Sequence, residues 1–396
     1  MEAYLIDWLN LLVRWLHVIA GIAWIGASFY FVMLDNSLSP PKDPADAKRG
    51  VSGELWAVHG GGFYCSQKFP VGPRGEPLSE NLHWSKWEAY TTWLSGMALM
   101  AIVYWHGANT YLIDRNVMAL SPAAAIGISI GSIVAGWLVY DALCRLLTGR
   151  DGLLAALVFI VIMLAAWGLF QVFGARAAFL HVGAIMGTMM VANVAHHIIP
   201  GQRRMVADIR AGRAPDPQPG IIGKQRSVHN TYFTLPVLFI MISGHYPMTY
   251  SHPLGWLVLG VLMAAGVLIR QYFVLRHKGA ARPWLLAVAV LLLAGLIVWL
   301  APSPSAGKGA AADFGSVRAV LERRCVNCHA EHPKYEGFAQ PPKGVMLETP
   351  ENIAQHAAKI AETVGNRYMP IGNLTQMTDG ERAIVAQWFA AGAKTH

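Results

Sequence analysis

The sequence predicts an all-α protein: an eight-helix transmembrane bundle over residues 1–301, a flexible linker at 302–312 and a small helical domain over 313–396. Three observations predict it. The 396 residues are 54% hydrophobic and only 14% charged, the balance of an integral membrane protein. Eight apolar stretches approach or exceed the roughly 20 residues that a bilayer core demands. After residue 301 the composition changes: APSPSAGKGAAA, a Pro/Gly/Ser-rich run, leads into a polar segment with nine basic and nine acidic side chains.

The apolar stretches fall at about 9–34, 87–106, 121–146, 152–173, 177–199, 230–247, 253–275 and 283–301. The first is too long for a cleavable signal and lacks a basic start and a small-residue cleavage site. The loops after stretches 1, 3, 5 and 7 carry sixteen Lys and Arg, among them Lys42, Lys68, Arg150, Arg203, Lys224, Arg226 and Arg282. The loops on the other side carry Arg115 and Arg176. Basic loops stay inside, so both termini are expected in the periplasm of a bacterial inner membrane. Seven of the formal +8 charges fall in residues 1–301 and the eighth, Lys308, in the linker, a balance this topology accounts for without nucleic acid. The bilayer is the partner that the composition demands.

Residues Cys325-Val326-Asn327-Cys328-His329 form C-x-x-C-H, the attachment motif of one covalent haem c. Two thiols a helical turn apart reach the two vinyl groups of one porphyrin, and His329 becomes the proximal iron ligand. Met369, followed by Pro370, is the favoured distal ligand over Met346 and Met377. Residues 313–396 therefore read as a periplasmic class I-like cytochrome c domain. A helix is expected over 313–324 and another after Thr378, with Thr378 and Glu381 forming its capping box. Cys65 and Cys144 lie towards the cytoplasmic side, where no structural disulfide is expected.

Histidines of the bundle fall into two layers. His17 and His181 lie ~8–12 Å below the outer surface at 1.5 Å per residue, with His245 nearer that surface. Paired imidazoles of this kind can hold a haem b, and Gly21, Gly183 and Gly187 would leave room for its face; helix packing explains the same glycines equally well. The inner layer holds His59, His83, His196 and His229 as candidate catalytic residues, with Glu88 as a proton carrier. At 100° per residue, His196 rather than His197 faces inward with His181. The glycines of His59-Gly60-Gly61-Gly62-Phe63 allow backbone amides to approach a ligand, and Gly61, Gly62, Phe63, Lys68 and Trp84 are candidate substrate contacts. Trp84 and the lysines also suit an interfacial belt. Asp141, Asn193 and Arg270 are polar groups of the inner half that either line a cavity or bridge helices.

LHVIAGIAWIGASFYFVML (16–34), HGGGFY (59–64), LHWSKWEAYTTWLSG (82–96), MVANVAHHIIPGQRR (190–204) and HNTYFTLPVLFIMISGHYP (229–247), followed by C-x-x-C-H, resemble the membrane-bound urate oxidase (urate hydroxylase) family of bacterial purine catabolism. The resemblance covers essentially the whole chain. It implies oxidation of urate to 5-hydroxyisourate, with water as the oxygen source and electrons passed to cytochrome c and onward to a soluble cytochrome c or terminal oxidase. It assigns no catalytic residue. Cytoplasmic purine breakdown would favour the inner layer as substrate site, with haem b carrying electrons outward across a ~30 Å core. A quinol- or porphyrinogen-oxidising cytochrome and a non-catalytic electron-transfer subunit are the alternative classes.

Overall fold

The computed structural model describes residues 1–301, 312–335, 338 and 340–395. The expected linker, up to residue 311, lies outside the described residues. The chain is 67% helical. Helix α1 (Glu2–Asn36) is followed by the short α2 (Pro44–Arg49) and by a β-hairpin of β1 (Gly53–His59) and β2 (Gly62–Lys68). Then come α3 (Trp87–Leu99), α4 (Pro122–Leu146), α5 (Asp151–Phe170), α6 (Ala175–Ala192), α7 (Ile199–Arg210), α8 (Gln218–Ser243), α9 (Gly255–His277) and α10 (Trp284–Trp299).

Each predicted apolar stretch overlaps a helix. Among the described residues, five are long and apolar enough to cross a membrane: 4–36, 122–146, 151–170, 175–210 and 255–277. Helix α10 is a shorter apolar helix. Tyr4, Trp8, Trp15 and Ile22 of α1, with Leu291 and Ile297 of α10, are exposed, an arrangement suited to lipid and costly in water. The other two stretches carry more polar residues. The 87–106 stretch continues through π-helical turns at Met100–Trp105 and Ala108–Leu112, and α8 begins twelve residues before its predicted start.

Helix α6 is the centre of the bundle. Phe179, Val182, Ile185, Met186 and Met189 are all buried, packed with Ile133 of α4, Ile162 of α5 and Ile240 of α8. Glycines set the closest approaches. A Cβ on Gly136 would stand 2.5 Å from Ile185, and one on Gly183 would stand 2.6 Å from Ile240. Gly183 thus serves helix–helix contact, and the space expected there for a porphyrin face is filled.

The hairpin departs from the all-helical expectation. His59 pairs with Gly62, so Gly60 and Gly61 are the two turn residues, at φ +59° and +82°. A two-residue turn whose twist matches the strands requires positive φ at both positions, and glycine adopts it without strain. Glu54-Leu-Trp-Ala-Val and Phe63-Tyr-Cys-Ser-Gln on either side supply the strands.

The C-terminal segment forms its own core. Helices α11 (Phe314–Arg324), α12 (Pro350–Gln355), α13 (Ala357–Gly365) and α14 (Asp379–Ala390) bury Val317, Leu321, Ile360, Val385 and Trp388 against one another. The expected capping box of Thr378 with Glu381 is complete, and Asp313 caps α11 by accepting from the Ser316 N–H.

Candidate functional site

Between α6 and α7 the chain winds as a π-helix over Asn193–Ile198. Such turns are rare and concentrate at functional sites. Asn193 projects into a buried ionic network. Its amide donates to the Tyr140 hydroxyl and to Asn230 Oδ1, both at 2.9 Å, and its oxygen accepts from Arg226 Nη1 at 3.2 Å. The Asp141 carboxylate accepts from Arg226 Nη2, from Arg145 Nε and from His197 Nε2, each at 2.7 Å. Arg226 is 2% exposed, and its guanidinium also lies 5.2 Å from the centre of the Tyr140 ring. The Tyr140 hydroxyl accepts from Asn193, so its single proton points to His229 Nδ1, 2.8 Å away. His229 therefore carries its proton on Nε2, and His197 donates from Nε2 to Asp141. A buried cation answered by one carboxylate and tied through Asn193 to Tyr140 and Asn230, with only its Nε left unpartnered among the described residues, joins α4, α6 and α8 in a single register.

The network gathers some of the predicted residues and leaves others out. His229 belongs to it, with Asn193 and Asp141. His196 does not: it is exposed and stacks on Trp137 at 5.2 Å, while His197 faces inward. This reverses the expectation from a uniform 100° per residue, which fails where residues 193–198 take the wider π turn. His59 and His83 are exposed, His59 at the end of the hairpin. Phe63 is 76% exposed, and a side chain at Gly61 would meet nothing within 4 Å. Gly60 and Gly61 thus shape a turn that is open on its outer side. Lys68 pairs with Asp35, which also binds Lys224. Trp84 packs with Ala89, Val191 and Ile199, and Glu88 is half-buried on the first turn of α3. Tyr140 and Arg226 carry no functional signal in the sequence, since an aromatic and an arginine at a helix end read as interfacial anchors.

His17 and His181 have different surroundings. His17 Nδ1 lies 2.9 Å from the Thr92 carbonyl and 3.1 Å from Ser95 Oγ on α3, so its Nδ1–H tautomer leaves Nε2 as a lone pair. His181 is 0% exposed and has both ring nitrogens engaged, Nδ1 with the Ala177 carbonyl at 2.7 Å and Nε2 with Ser129 Oγ at 2.6 Å. His17 suits a ligand role; His181 does not fit the bis-imidazole haem b expected of the pair. His245 is exposed just beyond α8.

In the C-terminal domain the chain turns helically through the C-x-x-C-H motif. The N–H groups of Cys328 and His329 both donate to the Cys325 carbonyl, at 3.1 and 2.9 Å, which brings both cysteines and the histidine onto one turn. His329 Nδ1 lies 3.0 Å from the Val345 carbonyl, so it carries the proton and leaves Nε2 free to bind a metal. Burial lowers the affinity of His329 for a second proton, which keeps that nitrogen available. Burial also pushes the Cys325 thiol up to about 12. These donors fit a covalently attached haem. Met369 donates its N–H to the Thr363 carbonyl, and Arg382 clamps its loop, donating to the carbonyls of Val364 at 2.6 Å and Met369 at 2.8 Å and to Asn373 Oδ1 at 3.3 Å. No sequence signal marks Arg382. Among the described residues, no cluster of three or more His, Cys, Asp or Glu side chains could hold a separate metal ion.

Two cavities lie away from the network. One of about 270 Å³ sits where the end of the bundle meets the Met369 loop, lined by Tyr111, Asp114, Arg176, Tyr250, Tyr368 and Arg382 among others. The other, about 390 Å³, lies between Phe29, Met33, Leu235, Arg270 and Phe273. Arg270 is buried there with Nε and Nη2 unpartnered, 4.3 Å from the centre of the Phe29 ring.

Apolar helices of membrane-spanning length around a buried ionic network, joined to a separate small helical core bearing C-x-x-C-H, define a class: membrane-type helical proteins with an appended domain. Residues 3–301 match the model of the urate oxidase N-terminal family, and the chain belongs to that family. Neither the curated proteins nor the solved structures compared with the chain gave a match.

Proposed function

We propose that the chain is a membrane-bound urate oxidase (hydroxylase) that passes electrons to its own cytochrome c domain. The observation that carries this reading is one of order along the chain: a urate oxidase N-terminal match over 3–301, followed by C-x-x-C-H at 325–329. The reaction balances as urate plus water giving 5-hydroxyisourate, two protons and two electrons. Haem c, when bound, accepts one electron at a time, so each urate needs two transfers and an onward acceptor such as a soluble cytochrome c or a terminal oxidase.

This chain's residues supply the rest. Cys325 and Cys328 would hold the porphyrin, and His329 would offer Nε2 because Val345 fixes its tautomer. Met369 would offer its thioether to the haem iron, and Arg382 of α14 holds the Val364 and Met369 carbonyls that frame it. The Asp141 network locks α4, α6 and α8, with His197 and Arg226 both donating to the one carboxylate. The basic loops support a cytoplasmic hairpin end and a C-terminal domain in the periplasm of a bacterial inner membrane. The alternative classes separate in one experiment. The purified chain should bleach urate while its haem c is reduced; a quinol oxidase would ignore urate, and a non-catalytic subunit would be inert alone.

A further inference from the structure

We infer that the cavity between the bundle and the Met369 loop binds the substrate as an anion, anchored by Arg176. This inference rests on the urate-oxidising reading and names its binding site. Arg176 lies on the first turn of α6, where unpaired helix N–H groups add to the pull on an anion. It has no ion pair among the described residues, and its Nε is buried with no hydrogen-bond partner. A second unanswered donor lines the same cavity: Tyr250 is 5% exposed, yet its hydroxyl is buried and unpartnered. Arg382, itself 9% exposed, also lines it and also leaves Nε unpartnered. Buried donors are nearly always satisfied in native proteins, so unpartnered donors on three residues that line one cavity point to an acceptor held there.

The space suits a flat purine anion. Its volume is about 270 Å³, and two aromatic residues, Tyr111 and Tyr368, are part of its lining. Asp114 is the sole carboxylate in the lining. The position also answers a question of distance. Tyr368 adjoins Met369, and the Gly372 Cα stands so near the bundle that an added Cβ would lie 3.4 Å from the Thr110 carbonyl. An electron leaving a molecule held here starts beside the cytochrome domain. An electron leaving the hairpin end would have to traverse a ~30 Å core, and the histidine pair expected to relay it is not free to bind haem b. The junction therefore replaces the inner histidine layer as the substrate site.

A carboxylate from a haem propionate could answer Arg176 as well as a purine anion does, and the two sources give different results. The experiment uses the full chain in detergent with haem c already reduced by dithionite, so that urate binds without turning over. Equilibrium dialysis with urate measures affinity, and a redox titration of haem c is run alongside. Arg176→Gln should raise the urate Kd at least tenfold and Arg176→Lys should restore much of it. Tyr250→Phe should raise it a few-fold, with covalent haem and potential unchanged in all three. An unaltered urate Kd in Arg176→Gln and Tyr250→Phe overturns the inference, and a shifted potential beside it assigns Arg176 to the propionate. Wild-type protein whose oxidised haem c is not reduced by urate fails at the earlier step and removes the urate reading itself.

Discussion

Among single residues, Arg226 is the one on which the bundle depends most, a guanidinium 2% open to its surroundings and answered by Asp141. Asp141→Asn keeps the size of the side chain and removes the counter-charge. Stranding a buried cation in this way costs on the order of 3–5 kcal/mol. Thermal unfolding of the purified chain should show a markedly lower midpoint for Asp141→Asn, partly recovered in the double variant with Arg226→Gln. A single variant as stable as wild type would mean that the network does not hold the helices. The cytochrome residues make a separate prediction. Cys328→Ala should abolish normal covalent attachment, whereas Met369→Ala should retain the covalent haem and lower its midpoint potential, because a thioether ligand raises it. A redox titration checks this, and an unchanged potential would hand the ligand position to another residue.

Elements show which parts of the fold are written plainly in the chain. Long apolar runs disclose the helices because burial in lipid leaves no freedom in composition. The Thr378–Glu381 box discloses the start of α14 because a cap is a local hydrogen-bond pattern. The hairpin escapes a sequence reading for a physical reason: a glycine triplet between aromatic residues satisfies both a ligand cradle and a tight turn. The short runs with Trp56, Val58, Phe63 and Tyr64 on either side of a Gly-Gly pair are the signal for the turn. The π turn at Asn193–Ile198 leaves no signal, since no residue type encodes it, and it exchanges His197 for His196 on the inward face. Arg176 and Arg382 are equally hidden, because a lone arginine acquires meaning only from what tertiary contact places around it. If Gly60-Gly61 is a turn alone, Gly60→Asn should preserve the hairpin, since asparagine followed by glycine suits the same turn. Val at both positions, strained by ~1–2 kcal/mol each in the left-handed region, should open it to limited proteolysis without altering urate affinity. The cap has a pH signature. Burial works against ionisation of Glu381, but the Thr378 N–H and the Arg324 guanidinium outweigh it and hold the carboxyl below its ordinary value of 4.5. A depressed folded-state value gives stability that is complete above the unfolded value and lost as pH falls through the folded one. Glu381→Gln should therefore cost roughly 1 kcal/mol at neutral pH, and the gap to wild type should close in acid. Unfolding followed through the haem band at several pH values tests it, and a gap that widens in acid would reverse the sign.

For the whole molecule, the two larger hydrophobic cores, one within residues 97–263 and one within 312–393, approach each other where Gly372, just after Met369, nears the Thr110 carbonyl. The proposed topology puts that junction in the periplasm. A reporter active only there should be active after His396 and silent in the 203–226 loop; the opposite pattern would invert the molecule. An outward-facing junction further predicts that urate supplied only to the periplasmic side of right-side-out vesicles reduces haem c. The most direct measurement is anaerobic: oxidised, purified full-length chain mixed with urate under strict exclusion of oxygen, with the haem c spectrum recorded. Reduction of haem c, continued turnover when soluble cytochrome c is added at two reduced per urate, and no hydrogen peroxide is the predicted result. An absolute need for oxygen in the urate step, or stoichiometric peroxide, would contradict it.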